Sequence, residues 1–144
     1  MSDAAGIVVL AGRLLFAGFF GFVAGYGGHV KSSQMLEGYA KQVNFPAASI
    51  AGWPTGLWLI AASLSIGLGV WPDLGSLMII AFLVPAAAYF HRYWEIEDPM
   101  QKMNQQLLFW RNMFGIGACL VFFGTFVALG PALRFAITGS LFDF

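Results

Sequence analysis

Four long apolar stretches, set apart by short polar or proline-bearing breaks, organise the chain of 144 residues. The first covers about residues 7–29 and is interrupted only by Arg13 before His29 closes it. A hydrocarbon core about 30 Å thick is crossed by ~20 helical residues, so this stretch is long enough to span it. A signal peptide would carry a basic residue ahead of the apolar run and Ala-x-Ala spacing behind it. Neither is present, and the stretch reads as a retained helix. The second, about 54–70, opens at Trp53-Pro54-Thr55, where a proline in the first turn costs no hydrogen bond, and stops at Trp71-Pro72. Asp73 is placed to cap the third, about 74–93, in which Pro85 removes an amide donor and predicts a kink. The fourth, about 99–129, opens at Asp98-Pro99-Met100-Gln101, a capping residue, a first-turn proline and a Gln placed to close a capping box. It stops at Gly130-Pro131.

The connection over 31–52 repeats Met35, Leu36, Tyr39 and Val43 at helical spacing, with Glu37 and Lys41 on another face and Ser33 as a cap. This predicts a short helix lying in the membrane interface, with an apolar-sided loop as the alternative. The expected fold is an all-α membrane protein. It is one domain over 1–144, a four-transmembrane-helix bundle with a short interfacial helix between spans one and two. Four crossings put both ends of the chain on one side. Lys31, Lys41, Arg92 and Lys102 fall on the other, which the positive-inside rule assigns to the cytoplasm, although Arg13 and Arg134 narrow the margin.

Composition agrees with the pattern. Charged residues are 10% of the chain, against about 25% in soluble domains, while 59% of residues are hydrophobic and 17% aromatic. So little charge cannot coat a water-soluble globule. A soluble enzyme and a disordered segment are excluded, and a net charge of +0 removes the electrostatic basis for binding nucleic acid. Cys119 is the sole cysteine, so no internal disulfide or Cys-x-x-Cys site exists.

The polar residues collect at one membrane face. His29 ends span one and His91 ends span three, with Trp94 and Glu95 directly after it, while Arg111 and Asn112 lie just inside span four. Together His29, His91, Trp94, Arg111 and Asn112 would form a polar pocket suited to a quinone head group or a partner's cofactor. The plainer alternative makes the histidines and tryptophans interfacial anchors, and lets Arg111, ~6 Å inside the apolar boundary at Leu107, snorkel out. His91 and Glu95 alone are too few for a metal site, and nothing makes the two histidines face each other across a haem. Arg13 is expected to pair with Asp73 near the opposite face. Gly21-x-x-x-Gly25, and Gly115, Gly117, Ala118 and Gly124, read as contact faces within the bundle or toward another subunit, with Cys119 as a small apolar filler.

Five segments in order carry a family likeness: Gly12-Arg13-Leu14-Leu15, Tyr39-Ala40 with Pro46, Leu59-Ile60-Ala61-Ala62, Phe90-His91 with Trp94, and Arg111-Asn112. In order and spacing they resemble the DoxX family of small four-helix bacterial membrane proteins, over nearly the whole chain. Ser63 stands where that family often has a Glu, and Tyr26 follows Gly25 where a Lys or similar polar residue is usual. The resemblance implies the bacterial inner membrane, where the charge distribution leaves both termini periplasmic, and an association with thiosulfate:quinone oxidoreduction or with complexes that handle oxidative stress. The combined expectation is a non-catalytic subunit of a larger respiratory or photosynthetic electron-transfer complex. Its partners would be the lipid bilayer and other membrane subunits, its cofactor a quinone, or lipid or pigment at the helix faces. The alternative is a quinone-linked oxidoreductase subunit with its own quinone site. A small transporter is weaker, because only Ser63, Ser65 and Thr125 offer mid-membrane hydroxyls.

Overall fold

The computed structural model describes residues 1–143. Their regular structure is helical, apart from one isolated parallel bridge between Val70 and Gly139. Helix α1 (Asp3–Ala17) is capped by the Ser2 hydroxyl, which accepts from the amide of Ala5, and passes without a break into a π-helical stretch, π1 (Gly18–Val30). Helix α2 (Ser33–Gln42) follows, then α3 (Trp53–Leu68) and α4 (Pro72–Pro85), which continues as a second π-helical stretch, π2 (Ala86–Phe90). Helix α5 (Pro99–Leu129) starts where the Asp98 carboxylate accepts from the amide of Gln101 at 2.8 Å. It ends at Gly130, whose positive φ of 47° stops it before Pro131.

Three helical segments are long and apolar enough to cross a membrane: Asp3–Val30, Pro72–Glu95 and Pro99–Ala132. Helix α3 is shorter, with 16 residues or ~24 Å of rise. The four pack as a membrane helical bundle in chain order, π1 on α3, α3 on α4 and α4 on α5. Phe16 and Phe122, edge to face at 5.0 Å, bring α1 against α5. The core between them includes Leu59, Ile66, Ile79, Leu83, Cys119 and Phe126. Outward-facing Leu15, Phe22, Phe114 and Val121 are between 68% and 78% exposed, an exterior suited to hydrocarbon and not to water. The small residues of π1 meet α3 directly. A Cβ on Gly25 would lie 3.1 Å from the carbonyl oxygen of Gly56, so backbone approaches backbone there.

One end of the bundle is sealed by segment 133–143, and there the expected Arg13–Asp73 ion pair gives way to a different arrangement. Both side chains are fully buried. The Arg13 guanidinium donates to the carbonyls of Ile66 (2.8 Å) and Gly67 (2.9 Å) in the last turn of α3, and to those of Phe135 (3.1 Å) and Arg134 (3.4 Å). The Asp73 carboxylate lies in the first turn of α4, two residues past the true cap at Trp71, and accepts from the amides of Leu141 and Phe142 at 2.7–2.9 Å. A helix C-terminus presents carbonyls without donors, and an N-terminus favours negative charge. Each buried charge is therefore met by a helix end and by the backbone of 133–143.

Candidate functional site

At the opposite end, π1, α3, π2 and α5 splay around a cavity of about 950 Å³, with α2 lying across its rim. Its walls are aromatic, with Phe16, Phe19, Phe20, Phe82, Phe90 and Trp58 among them. Set into these walls are the polar side chains of His29, His91, Arg111 and Asn112. A mostly apolar cavity with a few convergent polar groups is the usual form of a small-molecule site.

His29 is the penultimate residue of π1. Its Nδ1 donates to the carbonyl of Ala51 at 2.7 Å, and its ring meets Phe82 edge-on at 5.3 Å. His91 stands where π2 gives out, its Nδ1 donating to Oε1 of Gln105 at 2.8 Å. The helix stops before His91, so Glu95 does not stack on it at helical spacing. Glu95 pairs with Arg92 instead, at 3.5 Å. Trp94 is half-exposed and packs against Tyr93 and Phe109 at 5.2 and 5.8 Å; it does not line the cavity.

Arg111 and Asn112 bring in the unmatched polarity. Arg111 lines the cavity with neither a hydrogen bond nor an ion pair among the described residues, and its charge bears on His91. Asn112 is 5% exposed, and its Nδ2 has no hydrogen-bond partner. That nitrogen has essentially no accessible surface, and a buried donor left unpaired costs about 1–3 kcal/mol.

Several residues of the site carry no signal as candidate chemistry in the sequence. Thr55 and Trp58 look like ordinary span residues, yet both line the cavity. Tyr39, on the apolar face of α2, lines it as well and donates to the carbonyl of Phe90 at 3.2 Å, which ties α2 to the end of π2. Gln105, 14 residues from His91, reads as a plain polar residue at the start of a helix. Ser33 does not cap α2, a place taken by Ser32. Its hydroxyl accepts from the amide of Trp53 at 2.9 Å and tethers α2 to the start of α3.

The DoxX family model matches residues 8–92, more than half of the chain and less than the near-complete likeness read from the sequence. The match contains His29 and His91, while Trp94, Arg111 and Asn112 lie beyond it. No curated protein and no solved structure matches the chain.

Proposed function

The chain belongs to the DoxX family of small integral membrane proteins, and from that premise we propose that it is a multi-pass subunit of an electron-transfer complex in the bacterial inner membrane, holding a quinone head group in its cavity. The observation that carries this reading is Arg111, an exposed cation with no hydrogen-bond or ion-pair partner among the described residues, set on an aromatic-walled cavity. A quinone ring stacks on aromatic side chains, and its carbonyl oxygens accept hydrogen bonds of the kind Arg111 leaves unmade. With one cysteine the chain has no dithiol, and among the described residues no three of His, Cys, Asp and Glu group together. Electrons in this reading reach the ring through a partner subunit. In this reading all four principal helices cross the bilayer, α3 with help from its flanking residues, and both ends of the chain face the periplasm.

A second reading, a packing subunit without a ligand of its own, draws on α5. A Cβ at Gly117 or Gly124 would meet nothing within 4 Å, so this face is open to a neighbouring helix. The two readings part in one experiment. The purified chain in lipid nanodiscs should bind decylubiquinone, and Arg111→Leu should weaken that binding about ten-fold, while insertion and helical content stay unchanged. Affinity unaltered by R111L would leave snorkelling as the full account of Arg111 and overturn the quinone-site reading.

A further inference from the structure

Both cavity histidines are held in one tautomer. The carbonyl of Ala51 and Oε1 of Gln105 can only accept, so Nδ1 of His29 and Nδ1 of His91 carry the hydrogen. In a neutral ring Nε2 is then a lone-pair acceptor, and neither Nε2 has a hydrogen-bond partner among the described residues. No carboxylate lines the cavity, so a second cation beside Arg111 would have no counter-charge, and the neutral imidazole is the form that fits. Helix α5 contributes the opposite polarity. The Arg111 guanidinium has donors only. The residues lining the cavity thus offer a donor from α5 and acceptors from the ends of π1 and π2.

A quinone matches only half of this arrangement. Its carbonyl oxygens suit Arg111, but against a histidine Nε2 they set lone pair against lone pair. The reduced ring fits both halves, because each hydroxyl donates through its hydrogen while its oxygen still accepts. We infer that the cavity is built for the reduced, hydroxyl-bearing form of its ring ligand, with Nε2 of His29 accepting a hydrogen bond from a hydroxyl and Arg111 donating to oxygen. This rests on the quinone-site reading and adds to it the redox state that the site prefers. His29 is the better defined of the two acceptors, because a backbone carbonyl fixes its tautomer.

The test compares calorimetric titrations of the whole chain in nanodiscs, under argon, with decylubiquinol and with decylubiquinone. The expected result is quinol binding about ten-fold tighter, the effect of one hydrogen bond gained and one repulsion avoided. His29→Phe removes both the hydrogen bond and the repulsion, so it should weaken the quinol, leave the quinone no weaker and bring the two affinities together. His29→Gln, which restores an acceptor oxygen, should recover part of the preference. Equal affinities, or a tighter quinone, would overturn the inference while the quinone-site reading stands. Binding of neither form would overturn both. The wild-type comparison decides the matter even where H29F fails to fold, a failure that circular dichroism would reveal.

Discussion

Arg13 reaches the last turn of α3, where the carbonyls of Ile66 and Gly67 accept from its guanidinium, and Asp73 sits in the first turn of α4, where it binds the amides of Leu141 and Phe142. On the sequence the two look like an ion pair, because their signs are opposite and they lie near the same membrane face. They separate because a helix end meets each charge at closer range and with fixed geometry. Arg13→Leu would leave four carbonyl oxygens without this donor, and the expected loss is roughly 2–5 kcal/mol. A lower thermal midpoint in detergent and faster proteolysis within 133–143 would show it. Arg13→Lys should recover only part of that stability, since an ammonium cannot reach several carbonyls with a planar fork. Equal midpoints for wild type and R13L would refute the assignment. Gly69, with φ of +71°, is bound into the same construction, since a Cβ there would lie 2.5 Å from Nη2 of Arg13.

Both helices that lead to a cavity histidine change their winding before they end. π1 finishes at Val30 just after His29, and π2 finishes at Phe90 just before His91. Wide π-turns are uncommon and recur at functional sites. The apolar length of these elements, their first-turn prolines and the stop at Gly130-Pro131 are plain in the sequence, because each is a local preference. The change of winding is not local. In π1 it accompanies the close passage of Gly21 and Gly25 along Ser63 and Gly56, residues about 30 to 40 positions away. Pro85 reads as a kink from its missing amide, and directly after it the chain widens into π2. Pro85→Ala restores an amide to α4, and the expected outcome is an ordinary α-helix through residues 86–90 that turns His91 away from the cavity. Decylubiquinol affinity should then fall several-fold while the far-ultraviolet spectrum keeps its helical intensity. Retained affinity would show that the winding of π2 does not position His91.

Across the whole molecule the two ends of the bundle differ in kind. One is closed by segment 133–143, tied down through Arg13, Asp73 and the Arg134–Asp3 ion pair; the other opens into the aromatic cavity. Truncation after Ala132 should lower the thermal midpoint but leave quinone affinity within about two-fold, because sites with no shared partners act independently. A large loss of affinity would show that the ends are coupled. Membrane residence, the helical class and the gathering of His29, His91, Arg111 and Asn112 toward one face follow from the sequence alone. Apolar length and the spacing of charges depend only on the order of residues and on lipid as the surrounding medium. Which of those residues share a cavity, that Trp94 stands outside it, that Arg13 and Asp73 bind backbone instead of each other, and which histidine nitrogen is left to accept were decided by the packed structure. Those outcomes depend on carbonyls and amides brought together from distant parts of the chain, and a backbone group has no letter of its own in a sequence.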